Sequence, residues 1–190
     1  EVPKGKVLSL IGPNGAGKST LIETISQGVA YTGNILLEGK DIRRFKAAQL
    51  ARKVGVLAQK NVVGYAYTVD EVVGLGRYAY TQSFLSARDD GGKDQVERAL
   101  SLTGLTNLRH ASVLTLSGGE LQRTFLAQVF AQNPQTLILD EPANHLDLKY
   151  QQHIFSLISD WLKTPGRAVI SVVHDLSLAR KYGTHAMLME

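Results

Sequence analysis

The segment GPNGAGKST combines glycine, lysine and hydroxyl side chains in a spacing that suits the binding of phosphate groups. Gly12, Gly17, Lys18 and Ser19 fit the pattern G-x-x-x-x-G-K-[ST]. The glycines let backbone N–H groups wrap around phosphates, Lys18 adds a positive charge at the β and γ oxygens, and the Ser19 hydroxyl can bind Mg²⁺. An apolar run precedes the segment and a helical pattern follows it, so the context favours a phosphate loop over a plain glycine-rich turn.

Two adjacent carboxylates, Asp140 and Glu141, follow the apolar run in TLILDEP. An open parallel sheet binds its ligands at the carboxyl ends of its strands. We expect Asp140 to hold Mg²⁺ directly or through water, and Glu141 to lie beside the γ-phosphate and polarise the attacking water. Solvated acids at a strand end are the alternative, and the phosphate loop in the same chain favours the catalytic interpretation.

A histidine and an amide follow two further apolar runs. His174 ends AVISVVH, and it is the only one of the five histidines that terminates such a run. Its imidazole is predicted to donate a hydrogen bond to the γ-phosphate, although a lone histidine at a strand end is often only a surface residue. Gln59 follows VGVLA, where its amide is expected to contact Mg²⁺ or the attacking water.

The segment TLSGGELQRTFLA places two glycines at the expected start of a helix. Ser117 and Glu120 have the spacing of a capping box, so a plain helix cap is one interpretation. Gly118 and Gly119 would then lie in the first turn, although glycine costs about 1 kcal/mol relative to alanine inside a helix. Bare N–H groups and a hydroxyl at the positive end of a helix dipole suit a phosphate. We expect this turn to serve the nucleotide of a second copy, in a head-to-tail pair with twofold symmetry.

The elements that position these residues alternate between short apolar runs and amphipathic stretches. This alternation predicts an α/β fold with a mostly parallel central sheet. We expect helices at Lys18–Gln27 and Ala47–Lys53, and a strand in GNILLEG. We also expect one domain over 1–190.

The middle of the chain is mostly helical in pattern, so we predict a helical subdomain over 68–132, inserted into an α/β core formed by 1–67 and 133–190. Thr68 and Glu71 have capping-box spacing. A helix is expected from Asp94 to a stop at Gly104. The segment SFLSARDDGGK before it is expected to be an exposed loop.

Composition limits the possible functions. The chain has 190 residues, no cysteine, and a net charge of +4. Disulfides and thiolate metal sites are therefore excluded. The basic residues are scattered, which argues against a nucleic-acid partner. No apolar run approaches the roughly 20 residues of a membrane helix. Because the chain begins at Glu1 without methionine and stops at Glu190, we expect that both ends are cut.

Together, GPNGAGKST, Gln59, LSGGE, LILDEP, NHLD and His174 resemble the ATP-binding cassette (ABC) ATPases in order and spacing. The resemblance covers essentially the whole chain and implies a RecA-like P-loop NTPase core that uses ATP and Mg²⁺. It implies that the LSGGE signature binds the γ-phosphate of ATP held on the opposite subunit, with Asp147 at the dimer interface. Gln59 would begin a loop that senses the membrane partner. The phosphate cradle would comprise Asn14, Gly15, Ala16, Gly17, Lys18, Ser19 and Thr20.

The sequence also departs from the family pattern. The family usually has an aromatic residue upstream of the phosphate loop that stacks on adenine, and none precedes Gly12 here. The usual C-terminal strands and helix would lie beyond Glu190, where the sequence stops. Ala143 replaces the threonine or serine that is common at this position, and we expect little effect from that change.

Several classes within the family remain open. A soluble translation-factor type would carry a second cassette, and a chromosome or repair type would carry a long coiled coil between the phosphate loop and the signature. A regulator that does not hydrolyse ATP is disfavoured by Glu141.

The stretch VDEVVGLGRYAYTQSFL resembles the ATPases that power import of iron–siderophore complexes, haem or cobalamin, with other importers as the next alternative. This resemblance implies integral membrane permease subunits as partners and, indirectly, a periplasmic or surface substrate-binding protein. It places the ATPase at the cytoplasmic face of the bacterial inner membrane.

Overall fold

A five-stranded, wholly parallel sheet forms the centre of the protein. The structure, a computed structural model, describes residues 1–59, 64–80, 91–144 and 146–190. The strands lie in the spatial order β4-β5-β6-β1-β7. Their bounds are Val7–Ile11 (β1), Val54–Leu57 (β4), Thr136–Asp140 (β5), Ala168–Val172 (β6) and His185–Leu188 (β7). The prediction of an α/β fold with a mostly parallel sheet is confirmed.

Two hydrophobic cores cover the two faces of the sheet. Because side chains alternate along a strand, Leu137 and Leu139 of β5 pack in one core while Ile138 packs in the other. The larger core takes residues from the helices α3 (Val69–Gly74), α4 (Gly92–Leu102), α5 (Gly118–Gln132), α6 (Leu148–Leu162) and α7 (Leu176–Tyr182). The smaller core takes Ile22 from α1 (Lys18–Ile25) and Leu50 from α2 (Ala47–Ala51). Near-continuous apolar strands are thus explained by burial on both sides.

The segment GNILLEG was expected to be one strand, and it instead forms half of a small hairpin. Leu36–Leu37 (β2) pairs antiparallel with Lys40–Asp41 (β3). Glu38 and Gly39 connect these strands with φ of 52° and 77°. Two successive residues with positive φ are typical of a tight two-residue hairpin turn, so the chain reverses here.

Helix ends differ by a few residues from the sequence-based predictions. α1 stops at Ile25, because Gln27 takes a left-handed φ of 62°. α2 likewise ends at Ala51 rather than at Lys53. α4 begins at Gly92, two residues before the expected start, after Gly91 with a φ of 76°. Most of the predicted exposed loop SFLSARDDGGK lies outside the described residues, and its last residues belong to α4.

The helices α3, α4 and α5 pack against one another. The predicted capping box at the start of α3 is present: Glu71 Oε2 accepts hydrogen bonds from Thr68 N at 2.7 Å and Thr68 Oγ1 at 2.9 Å. α5 also packs against β4, and its residues Leu126 and Phe130 belong to the same core as β5 and β6. The helical segment therefore shares a continuous core with the sheet. In the described part of the chain, no helix is both long and apolar enough to cross a membrane.

Candidate functional site

All of the motifs at strand ends lie along one edge of the sheet, because the strands are parallel. Moving from β4 across β5 and β6 to β1, the strand ends are followed by Gln59, then by Asp140 and Glu141, then by His174, and last by the phosphate loop. The sequence predicted each residue at a strand end, and the strand order makes them neighbours. This edge is where open α/β sheets bind ligands.

The phosphate loop has the backbone shape that its glycines permit. Gly15 and Gly17 have φ of 89° and 84°, and Gly17 is the N-cap of α1 without any side-chain hydrogen bond to the helix. The first N–H groups of α1 are therefore left without a side-chain cap, as expected of an anion site. Gly12 has a separate reason to be glycine, since a Cβ there would lie 2.3 Å from the carbonyl oxygen of Met189. Four residues of the predicted cradle are exposed to solvent: Asn14, Gly15, Ser19 and Thr20.

Lys18 is folded back across this loop. Only 6% of its surface is exposed, and its Nζ donates hydrogen bonds to the carbonyl oxygens of Gly12 at 2.9 Å and Pro13 at 2.8 Å. Both acceptors are neutral, so they satisfy the donors without neutralising the charge. A buried ammonium held in this way would gain strongly from an anionic phosphate oxygen.

Asp140 is the best candidate for a magnesium ligand in this structure. It is 5% exposed, and its Oδ1 has no hydrogen-bond partner among the described residues. Burial raises the pKa of Asp140, and this effect exceeds the lowering by a hydrogen bond from Ser19. In the described part of the chain, no group of three or more His, Cys, Asp or Glu residues is placed to hold a metal. The buried carboxylate oxygen without a partner, beside the Ser19 hydroxyl, nevertheless fits an ion that takes oxygen ligands such as Mg²⁺.

Replacement of Asp140 by asparagine is expected to stabilise the nucleotide-free protein. Because the pKa of Asp140 is raised on folding, the protein is favoured when this group is protonated, and that advantage is lost as the pH rises through its folded pKa. At pH 7 Asp140→Asn should therefore raise Tm. The difference should shrink as the pH falls through the raised pKa of Asp140.

Thermal unfolding of both proteins with and without Mg-ATP checks this prediction. With Mg-ATP the parent should have the higher Tm, because it gains more stability from the ligand than the Asp140→Asn variant does. A variant that is less stable without ligand at pH 7 would contradict the prediction.

Glu141 lies at the centre of a hydrogen-bonded cluster. Its Oε2 accepts from Gln59 Nε2 at 2.9 Å and from the side-chain amide of Asn144, and its Oε1 lies 2.5 Å from His174 Nε2. Its backbone has a φ of 52°, a conformation that is uncommon for residues other than glycine. Three side chains from separate segments thus aim one carboxylate at the edge of the sheet. The structure brings the predicted catalytic residues Gln59, Glu141 and His174 together.

These contacts determine the charge of Glu141. Burial alone would raise the pKa of Glu141, but hydrogen bonds from His174 and Gln59 outweigh it, so the pKa lies below the ordinary value of 4.5. The carboxylate is therefore ionised at neutral pH. Such a group is a weak proton acceptor and a strong hydrogen-bond acceptor, so it is suited to orient and polarise a water molecule.

The LSGGE turn is a complete capping box at the start of α5. Ser117 N and Ser117 Oγ donate to Glu120 Oε2 at 2.9 Å and 2.6 Å, and Glu120 N donates to Ser117 Oγ at 3.4 Å. The helix-cap interpretation of the sequence is therefore confirmed. Ser117 and Gly118 are exposed, so the capped turn is still accessible to a phosphate. That this turn also binds a phosphate stays a prediction.

The two glycines of this turn have different surroundings. A Cβ on Gly118 would meet no atom within 4 Å, whereas a Cβ on Gly119 would lie 3.1 Å from Cδ1 of Tyr150. Gly119 is buried beneath this ring at the start of α6. A side chain on Gly119 would have to displace the Tyr150 ring, which is 44% exposed, by a few tenths of an ångström. Packing thus offers a reason for glycine at position 119 and none at position 118.

Pro142 and Tyr150 contact the first turns of α5, and the sequence did not predict either contact. The amide of Gln122 donates to the carbonyl oxygen of Pro142 at 2.6 Å. Asp147, expected at a dimer interface, is the N-cap of α6, and its Oδ1 accepts from Tyr150 N at 3.0 Å. The signature turn is thereby fixed to the loop that follows Glu141. Sequence analysis missed Asn144, Gln122 and Tyr150, and only the position of Asn144 just after Glu141 offered a signal.

The fold and the site define an ATP-binding cassette. The family model for ABC transporters matches residues 1–144. The chain therefore belongs to this family, and it has the fold of its ATPases.

Similar proteins agree with this assignment. The ferric enterobactin transport ATP-binding protein FepC of Escherichia coli (strain K12) is 37% identical over 190 residues, which is 100% of this chain and 70% of FepC. The uncharacterized ABC transporter ATP-binding protein YvrA of Bacillus subtilis (strain 168) is 38% identical over 190 residues, and the chain spans only 43% of YvrA. The solved structure of cbiO1 from Clostridium perfringens, part of the ABC transporter complex cbiONQ, superimposes with a TM-score of 0.86 at 27% identity over 100% of this chain and 75% of cbiO1.

Proposed function

We propose that this chain binds and hydrolyses ATP to power an ABC importer, working as a pair of copies that close head to tail around ATP. The observation that carries the proposal is the cluster at the carboxyl edge of the sheet. There, Glu141 after β5 contacts both Gln59 after β4 and His174 after β6, and the phosphate loop follows β1, which pairs with β6. This arrangement unites phosphate binding and water activation on one edge.

ATP binding would begin at the phosphate loop. The uncapped N–H groups at the start of α1 would receive phosphate oxygens, and Lys18 would turn from the carbonyl oxygens of Gly12 and Pro13 towards them. Asp140, Ser19 and the amide oxygen of Gln59 would hold Mg²⁺. When bound, Mg²⁺ would neutralise charge on the phosphate oxygens.

Hydrolysis would depend on the Glu141 cluster. The ionised carboxylate of Glu141 would orient the attacking water, and His174 would turn its Nε2–H from Glu141 Oε1 to the γ-phosphate. Asn144 and Gln59 would keep the carboxylate in place through the contacts described above. Phosphoryl transfer needs mainly positioning and electrostatic stabilisation, which is what these residues can supply.

The signature would act on the nucleotide of a second copy. Ser117, Gly118 and Gly119 lie at the start of α5, which packs with α3 and α4, and Ser117 and Gly118 face solvent. In a head-to-tail pair, this turn would close over the partner's γ-phosphate, with Asp147 near the twofold axis. ATP would thus join the copies, and hydrolysis would separate them.

The membrane partner would be moved through the helical part of the chain. We propose that residues 68–132 are the helical subdomain, that 1–67 and 133–190 form the core, and that Gln59 begins the lever between them. The permease subunits would dock on the helical subdomain and the Gln59 lever, at the cytoplasmic face of the inner membrane. A substrate-binding protein outside would deliver the cargo.

The cargo is proposed to be a metal chelate such as an iron–siderophore, haem or cobalamin. The name of FepC, a ferric enterobactin transport protein at 37% identity, supports the siderophore class in particular. The ATPase subunit does not contact the cargo in this scheme. Nothing in the proposed mechanism requires nucleic acid.

Replacement of Ser117 by arginine tests the pairing of copies. The large side chain should fill the space above the exposed turn, so Mg-ATP should no longer dimerise the full-length protein at concentrations where the parent dimerises. ATP binding to the monomer should be unchanged, since Ser117 would serve the partner's nucleotide. Light scattering with Mg-ATP and titration of a fluorescent ATP analogue measure the two properties.

The two readouts separate the possible outcomes. Loss of ATP binding by the Ser117→Arg monomer would mean that the turn acts on its own chain's nucleotide. Normal ATP-driven dimerisation would remove Ser117 from the interface. Thermal unfolding serves as the control, because loss of a serine N-cap costs about 0.5–2 kcal/mol in stability.

A further inference from the structure

The carboxylate of Glu120 already occupies the two hydrogen-bond donors of Ser117 in the signature turn. Its Oε2 accepts from both the backbone N–H and the hydroxyl of Ser117, at 2.9 Å and 2.6 Å. A serine hydroxyl has a single proton to donate. When that proton is directed at Glu120, it is not available to a phosphate oxygen.

Glu120 is also a negative charge in a turn that would meet a nucleotide. Hydrogen bonds from the Ser117 hydroxyl and backbone lower the pKa of Glu120, so its carboxylate is ionised at neutral pH. The nearby cation Arg123 donates its Nη1 to the carbonyl oxygen of Thr103 at 2.9 Å. Two like charges about 4 Å apart repel by about 1 kcal/mol in water, and by more where water is excluded.

We propose that Glu120 is an internal competitor that weakens the hold of the signature on the partner's ATP. The inference rests on the proposed function, in which this turn closes over the γ-phosphate of a second copy. For the dimer to close, the Ser117 hydroxyl must turn from the Glu120 carboxylate to the phosphate, against the repulsion of that carboxylate. The residue would thereby favour reopening of the pair.

The chain contains a matched control for this effect. Glu71 makes the same bonds to Thr68 at the start of α3, with distances of 2.7 Å and 2.9 Å, and Glu71 N returns a bond to Thr68 Oγ1 at 3.2 Å. Glu71 has no assigned part in nucleotide binding. Neutralising either glutamate therefore perturbs the same capping geometry, and only one of the two faces the proposed ligand.

Replacement of Glu120 by glutamine tests the proposal. Glutamine keeps the capping acceptor and removes the charge. In full-length protein that also carries Glu141→Gln, the dimer dissociation constant in Mg-ATP, from sedimentation equilibrium, should fall roughly tenfold, which corresponds to about 1.4 kcal/mol. ATP affinity of the monomer should stay unchanged. Glu71→Gln should lower Tm by a similar amount as Glu120→Gln and leave the dimer constant unchanged.

Salt dependence and a second variant make the test decisive. The difference in dimer dissociation constant between the parent and Glu120→Gln should become smaller at 1 M salt, where the Debye length is about 3 Å. Glu120→Ala, which also deletes the acceptor, should tighten the dimer too, with a larger loss in Tm.

Dimerisation by Glu120→Gln that is equal to or weaker than the parent's would overturn the proposal. If Ser117→Arg still blocks dimerisation in that case, the proposed function stands and only the role of Glu120 fails. If Ser117→Arg dimerises normally, the head-to-tail scheme itself fails.

Discussion

Replacement of Glu141 by glutamine should lower ATP hydrolysis at saturating ATP by roughly 100-fold or more, because one preorganised electrostatic contact to the reacting groups typically contributes this much. ATP and Mg²⁺ binding should persist. The glutamine side chain has the same shape and can still accept from Gln59 and Asn144, so these two of the three contacts stay in place. What is lost is the negative charge that orients the attacking water.

Steady-state release of phosphate measures this effect, alongside direct binding of ATP. Asp160→Asn is a suitable control, since it removes a carboxylate that pairs with Lys163 on the exposed side of α6. That variant should hydrolyse ATP at the parental rate. If Glu141→Gln releases phosphate at a rate within a few-fold of the parent's, Glu141 does not have its assigned role.

Replacement of Lys18 by alanine should weaken ATP binding by about 10- to 100-fold. A hydrogen bond to a charged group contributes about 1.5–3 kcal/mol, which corresponds to this range. Lys18 is 6% exposed and lies against the carbonyl oxygens of the loop, so its charge is already next to the phosphate position. The variant also loses the two hydrogen bonds from Lys18 to the loop carbonyl oxygens, so thermal unfolding without ATP serves as the control for folding of the loop.

Equilibrium titration with an ATP analogue gives the dissociation constant. Lys53→Ala removes the same charge from the opposite end of β4, where Lys53 pairs with Glu38, and it should bind ATP as the parent does. An unchanged ATP affinity in Lys18→Ala would contradict the phosphate-loop assignment.

The edge of the sheet could be predicted from sequence because it depends on short, local signals. Each buried strand appears as an apolar run of four or five residues, and the residue after it is fixed at the carboxyl end. Parallel strands place all such ends together, so Asp140 and His174 could be assigned to one site without knowledge of the strand order. The glycine spacing of the phosphate loop is equally local.

The interior of the cluster could not be predicted, because it depends on conformations that sequence patterns do not encode. Glu141 has a positive φ, which sequence signals associate with glycine, and three hydrogen bonds hold it there. The contact between Tyr150 and Gly119 joins residues from α5 and α6. Such pairs follow from tertiary packing, and the sequence alone gave no reason to bring them together.

The signature turn shows how one pattern can carry two roles. The S-x-x-E spacing predicted a helix cap, and the hydrogen bonds of Ser117 and Glu120 confirm it. The glycines pointed to a ligand, but burial of Gly119 under Tyr150 accounts for one of them. Packing within the chain does not explain Gly118, so this glycine still points to a ligand. The dimerisation experiments test whether that ligand is the partner's nucleotide.

The most direct test of the central claim is the mass in solution of the full-length Glu141→Gln protein, by light scattering, with and without Mg-ATP. The account predicts a monomer that becomes a dimer only when Mg-ATP is present, because ATP joins the phosphate loop of one copy to the LSGGE turn of the other. A protein that binds Mg-ATP and remains monomeric at every concentration would contradict it.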